Sequence, residues 1–263
     1  KKLLRTVYMQ KRNRTMLKAD QNKISRYWNS FYDCMEANLR YDKNQIIFKD
    51  LFEKYLKKGG ACFEIGCYPG NFLIYFSKEF GYEVSGLDVT PNLLEKTPAY
   101  LQANGVIANE IICQDFMEYK PLKVYDLVCS FGFVEHFSNY KEIIIKHISM
   151  VRPGGVLIIS CPNLRGLQYF VHLLIDRSCL SSHVISSMSL RKWSHILESN
   201  NMHLTYHNYY QTAGFVRGPE MPKSRYQKIS QKIFSKFCES IDGHISYPNS
   251  LLSPYMISIS KKI

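Results

Sequence analysis

Apolar residues along the chain fall into two rhythms that alternate from Ala61 onward. Short continuous runs such as ACFEI, EVSGLD and DLVCS read as buried strands. The segments between them, NFLIYFSKEF for example, place apolar residues three and four apart and read as amphipathic helices. The expected order is strand 61–66, helix 70–80, strand 82–88, helix 91–103, strand 109–113, strand 124–130, helix 139–151 and strand 155–161. Short connections between alternating strands and helices argue for a parallel sheet covered on both faces. Such sheets bind ligands at the carboxyl ends of their strands.

The flanks follow other patterns. Residues 1 to 23 are polar, basic and weakly periodic, and ISRYWNSFYDCMEANL then gathers Tyr27, Trp28, Phe31 and Tyr32 at spacings that cluster on a helix. NQIIFKDLFEKYLKKGG reads as an amphipathic helix with Ile46, Ile47, Leu51, Phe52, Tyr55 and Leu56 on its stripe and Gly59-Gly60 as its stop. After CPNLRG the alternation breaks, and residues 164 to 187 look like an inserted helical segment. A helix over SLRKWSHILESNNM, a strand over MHLTYHNYYQ, a basic amphipathic helix over 217–240 and a last strand over SPYMISISKK complete the chain. The division expected is 1–40 as basic tail and N-terminal helix, and 41–263 as one α/β domain with insertions at about 164–190 and 211–250.

The most informative stretch is Ala61 to Gly70, ACFEIGCYPG, where a strand turns sharply into a helix. Gly66 and Gly70 lack a Cβ and can take positive φ or admit a close neighbour. The new helix offers unpaired N–H groups and the positive end of its dipole. A dinucleotide fingerprint, G-x-G-x-x-G, fails because Tyr68 stands where its second Gly belongs, which disfavours a dehydrogenase.

What stands instead, E-x-G-x-x-x-G followed by Asp88 at the end of YEVSGLD, resembles the first two motifs of the class I S-adenosylmethionine-dependent methyltransferases. YDLVCSFGFVEHF and VRPGGVLIISCPN extend the resemblance, which covers residues 40 to 161 well and the rest loosely. Tyr68-Pro69 departs from the family's usual small residue. The resemblance implies an α/β, Rossmann-like seven-stranded sheet flanked by helices, closed by an antiparallel strand pair, with an N-terminal helical extension and a helical insertion after strand five. It also implies S-adenosyl-L-methionine as donor and S-adenosyl-L-homocysteine as product.

On those terms Glu64, Gly66 and Gly70 would hold the methionine part. Asp88 would accept both ribose hydroxyls, since a carboxylate has two acceptor oxygens. Asp115 would accept from the adenine amine, and Phe116 would offer a ring face. Ser130 and Phe131 would pass beside the sulfonium, and Tyr27 and Trp28 would belong to a lid. Glu135 and His136 would open the next helix at the pocket rim. His136 suits a general base, its ordinary pKa lying near 6.5, or a structural role in that turn. Asp126 reads as a strand-start stabiliser. The acceptor expected is a small molecule, mostly apolar or mixed, in a pocket that includes Tyr169, Phe170 and Trp193, with Arg165 and Arg177 near an anionic group.

Charge changes the picture only at the ends. The net charge is +12, and residues 1 to 26 hold nine Lys or Arg against one Asp. This keeps nucleic acid open as a partner, but SFGFVEHF lacks the N/D/S-P-P-Y/F pattern that enzymes of exocyclic base amines use. An RNA methyltransferase acting elsewhere, or a non-catalytic cofactor-binding protein of the same fold, stays as an alternative. The eight cysteines contain no C-x-x-C pair and read as reduced core thiols rather than disulfides or metal ligands. His203 and His207, on one face of a strand, would stand about 13 Å apart, too far for one metal. No apolar run approaches the roughly 18 to 20 residues of a membrane span, and KKLLRTVYMQKRNR lacks a secretion-signal core. A cytoplasmic protein is expected.

Overall fold

The computed structural model describes residues 41–90, 92–216, 225–242, 244 and 247–263. These belong to the second of the two units into which the chain divides, Arg40–Ile263. The candidate lid residues Tyr27 and Trp28 lie outside the described residues.

Seven strands form one sheet: β1 (Ala61–Ile65), β2 (Glu83–Asp88), β3 (Glu110–Cys113), β4 (Tyr125–Phe131), β5 (Val151–Pro162), β6 (Met202–Tyr210) and β7 (Tyr255–Lys262), in the spatial order β3-β2-β1-β4-β5-β7-β6. The first five run parallel, and β7 enters antiparallel between β5 and β6. The order reverses between β1 and β4, which opens a crevice at their carboxyl ends. The Rossmann-like sheet and its antiparallel closing pair are as expected.

The helices are α1 (Lys49–Tyr55), α2 (Asn71–Phe80), α3 (Leu93–Ala103), α4 (Tyr140–Met150), α5 (Leu167–Ile175), α6 (Arg177–Ser181), α7 (Leu190–Glu198) and α8 (Arg225–Asp242). Alternation along β1 and β4 divides the core. Phe63, Ile65 and Val128 join Ile143, Ile144 and Ile148 of α4 and Trp193 and Leu197 of α7 in one continuous cluster. Among the aromatics of α1 and α2, Phe52 packs 5.2 Å from Phe76 and 5.8 Å from Phe131 at the end of β4.

Two elements differ from expectation. The helix expected over 45–58 is broken: a 3₁₀ turn covers Lys43–Gln45, Ile46 is extended, and α1 starts only after Phe48, whose φ is 68°. A left-handed non-glycine residue is costly. Here it turns the Phe48 ring inward, 4.6 Å from Tyr210 and 5.8 Å from Tyr255, so tertiary aromatic packing overrides helical continuity. The turn expected at Pro153-Gly154-Gly155 is instead a bulge within β5: pairing steps from Tyr125–Val151 to Leu127–Val156. The three extra residues project at the strand's start and leave the register beyond Val156 regular.

Asp126 does stabilise that end of the sheet. Its carboxylate accepts from the Ala61 N–H at 2.8 Å and from Arg152, and these partners hold its pKa below the usual carboxylate range. Cys113 is exposed, whereas Cys62, Cys67, Cys129, Cys161 and Cys179 are buried free thiols and Cys238 is buried. Among the described residues no helix is long and apolar enough to cross a membrane.

Candidate active site

The crevice is built first from the turn between β1 and α2. Gly66 has φ 77° and Gly70, the N-cap of α2, has φ 117°. A Cβ on Gly66 would lie 3.0 Å from the Phe133 ring, so both its conformation and its surroundings call for glycine. The turn is tied to β2: the N–H groups of Gly66 and Cys67 donate to the Leu87 carbonyl, and that of Tyr68 donates to Asp88 Oδ2 at 3.2 Å.

Two carboxylates converge there. Asp88 ends β2 and is half-buried, its Oδ1 accepting from the Thr90 N–H at 2.9 Å and the Thr90 hydroxyl at 2.7 Å. Glu64 is buried in β1. Burial, then the nearby Asp88 charge, pushes its pKa well above the usual range against a backbone hydrogen bond from Leu73, and its Oε2 has no hydrogen-bond partner. Among the described residues no basic side chain forms an ion pair with either acid. The unpartnered Oε2 of Glu64 beside the Asp88 carboxylate offers acceptor oxygens to a ligand that brings N–H or O–H donors.

The structure distributes the other expected residues differently. Asp115 is half-buried after β3, where its Oδ1 accepts from the Met117 N–H at 2.8 Å. Phe116, expected to show a ring face, is 2% exposed, with its ring edge-on to Phe133 and 4.8 Å from the His147 ring. It is a core aromatic here. Ser130, expected to face the crevice, is fully buried and bonds His147 Nε2 at 3.1 Å. Strand alternation explains the correction: Ser130 shares the α4-facing side of β4 with Val128. Phe131 points the other way and stacks on Phe72 at 3.8 Å and 16°.

Glu135 and His136 require a second correction. They occupy a 3₁₀ turn, Val134–His136, ahead of α4, and are 1% and 6% exposed rather than at a rim. The His136 Nδ1–H donates to the Ser182 carbonyl at 2.9 Å, and the Val184 N–H donates to the Glu135 carbonyl. Burial, helped by neighbouring His183, pushes the His136 pKa down to about 3, and burial raises that of Glu135 to about 8. Both are therefore neutral near pH 7.

The expected acceptor residues also separate. Trp193 is fully buried, its indole N–H donating to the Ser187 carbonyl, whereas Tyr169 and Phe170 are exposed. Arg165 lines a cavity of about 770 Å³ with Arg191, Lys192, His195 and Tyr209, and Arg177 is exposed elsewhere, its Nε bonded to the Leu173 carbonyl. Arg165 follows β5 and Tyr209 nears the end of β6, so the cavity opens at the carboxyl side of the sheet. Motif reading missed His147, Phe48 and Phe72. Phe72, two residues beyond Gly70, was within its reach, and the others needed long-range contacts.

A parallel sheet with its switch point between β1 and β4, a glycine turn against the second strand and an acid at that strand's end define the class I methyltransferase fold. The methyltransferase-domain family model matches residues 35–212, and the chain belongs to that family. Among curated relatives, the ubiquinone biosynthesis O-methyltransferase of Rickettsia canadensis (strain McKiel) is 27% identical over 112 residues, covering 43% of this chain and 47% of the relative. That of Rickettsia conorii (strain ATCC VR-613 / Malish 7) is 26% identical, covering 43% and 38%. The chain thus spans less than half the length of these relatives. Of solved structures, coclaurine N-methyltransferase bound to N-methylheliamine and SAH aligns with a TM-score of 0.57 at 14% identity, covering 86% of this chain and 74% of that one. The StiE O-methyltransferase, residues 961–1257, aligns at 0.53 and 14%, covering 81% and 72%. Both likenesses concern the fold.

Proposed function

We propose that this chain transfers a methyl group from S-adenosylmethionine to a small-molecule acceptor. The observation that carries the reading is the convergence of Glu64, Asp88 and the Gly66–Gly70 turn, with no basic side chain among the described residues paired to either acid. That arrangement fits the donor: Gly66 and Gly70 let the backbone turn with positive φ at both its ends, Glu64 meets an ammonium and Asp88 meets ribose hydroxyls. Asp115 stands after the next strand as the adenine-amine acceptor. Phe116, Ser130 and the buried pair Glu135 and His136 support this crevice from behind.

When bound, the donor supplies an already activated methyl group on a sulfonium. The chain's own residues need only hold the donor, exclude water and align the acceptor. Glu135 and His136 serve this by joining the turn after β4 to the segment 182–184. His136 is a positioning residue in this reading, because a neutral buried ring bonded to a carbonyl is a poor proton acceptor. The names of the curated relatives make a hydroxyl acceptor the first to test, and the Arg165 cavity favours one that carries an anionic group.

The test is titration calorimetry of the purified chain with S-adenosylmethionine and S-adenosylhomocysteine, followed by transfer assays on hydroxyl acceptors. One-to-one binding of both ligands is expected. Absence of binding by either would remove the proposal.

A further inference from the structure

The insertion after β5 contains a buried cluster that the crevice does not use. His172 lies in α5, Asp176 stands between α5 and α6, and Cys179 lies in α6. Their spacing is His-x3-Asp-x2-Cys, and the break in the backbone at Asp176, φ −149°, ψ 74°, turns the second helix so that the three meet. They are 0%, 7% and 1% exposed, and one ligating atom from each lies within 4.8 Å of the others.

Their hydrogen bonding is incomplete. Asp176 Oδ1 accepts from the Cys179 N–H and the Ser178 hydroxyl, but Oδ2 has no partner. The Val216 backbone lies near the His172 ring, yet neither ring nitrogen completes a hydrogen bond. Such buried polar atoms are costly unless something satisfies them.

We propose that His172, Asp176 and Cys179 bind one Zn²⁺ ion. Imidazole, carboxylate and thiolate form a mixed set that suits zinc, and the thiolate argues against Mg²⁺ or Ca²⁺. Metal–ligand distances of about 2.0–2.3 Å would set the ligating atoms roughly 3.3–3.8 Å apart, a small inward movement from their present spread. Cys179 releases its proton to solvent on binding. Thiolate and carboxylate then balance the two positive charges, so no net charge is buried. The fourth position is open to water. The ion would clasp α5 to α6, and through the Phe215 ring stacked on His172 at 5.1 Å it would steady the segment after β6.

Glu135, His136 and His183 form a neighbouring group with the same spread of ligating atoms. It is the weaker candidate, because Nδ1 of His136 and of His183 already bond the carbonyls of Ser182 and Cys179. It also offers no thiolate.

The full chain, prepared without metal-affinity resin, is analysed by elemental mass spectrometry. After chelation it is titrated with Co²⁺ and followed by absorption. One zinc per chain is expected, together with a thiolate-to-cobalt charge-transfer band. Cys179→Ser and His172→Gln should each lower zinc affinity more than 100-fold, while Glu135→Gln keeps full stoichiometry. No zinc and no charge-transfer band in the wild-type chain would overturn the site. So would retention of zinc by folded Cys179→Ser, or its loss in Glu135→Gln alone. Should Cys179→Ser fail to fold, Cys179→Ala or Asp176→Asn takes its place, because the band shows thiolate ligation but not which of the eight cysteines supplies it. None of these readouts requires methyl transfer.

Discussion

The two halves of the sheet hold their chemistry differently. In the half built from β2, β1 and β4, polar groups lie within a few residues of a strand's carboxyl end. Asp88 bonds Thr90 and the Tyr68 N–H of the adjacent turn, and glycines at 66 and 70 shape the backbone beside it. In the half built from β5, β7 and β6, the buried polar groups come from helices and loops far apart in sequence. His136 meets Ser182, and Asn163 bonds the carbonyls of Ser250 and Ser253. The first half is a short-range device, set by neighbours in sequence. The second depends on partners brought together only by folding.

The largest effect that would sharpen this contrast lies in the second half. Trp193 is fully buried and its indole N–H is bonded, so Trp193→Ala should cost about 3–5 kcal/mol in chemical denaturation. Donor affinity, measured where the variant is folded, should hold. A large loss of that affinity would show that the halves are energetically one unit.

Asp88→Ala tests the first half. It should weaken S-adenosylmethionine binding at least tenfold, about 1.4 kcal/mol, in calorimetry. Unchanged affinity would show the ribose assignment wrong.

His136→Gln lies at the junction. As a positioning residue His136 should, on replacement, lower the melting temperature and reduce kcat less than tenfold, with donor affinity kept. A collapse of kcat at unchanged melting temperature would make it the base instead.

The smallest effect concerns pH. His147 is fully buried; its Nδ1–H donates to the Ile143 carbonyl and its Nε2 accepts from Ser130. Burial, with Lys146 nearby, pushes its pKa down to about 4. Between about 4 and 6.5 the unfolded chain therefore binds more protons, and stability falls as pH is lowered through that window. His147→Gln should flatten this part of the stability curve. An identical slope in both proteins would show that His147 does not titrate on unfolding.

Legibility followed the same division. Strand periodicity placed β1 to β4 within a residue of their observed ends, because burial leaves apolar runs, whereas β5 begins four residues earlier than expected. Asp126 was also read correctly, as an acid at the start of a strand. Ser130 and Phe116 were not, since their position in the motif says nothing of which face of the sheet they meet. Glu135 and His136 were read as rim residues because a polar pair after a strand looks exposed. Only packing against 182–184, forty-odd residues away, shows them buried. The Cys179 cluster escaped because a search for paired cysteines overlooks a mixed set with one thiol.

What the sequence determined by itself was the alternation of elements, the glycine turn and the acid that closes the second strand. These follow from periodicity and backbone sterics, which act over a few residues. Tertiary structure alone decided which face each strand residue serves, that Phe48 breaks a helix to join an aromatic cluster, and that α5 and α6 bring histidine, carboxylate and thiol together. Those outcomes depend on burial against partners distant in sequence, and no local pattern encodes them.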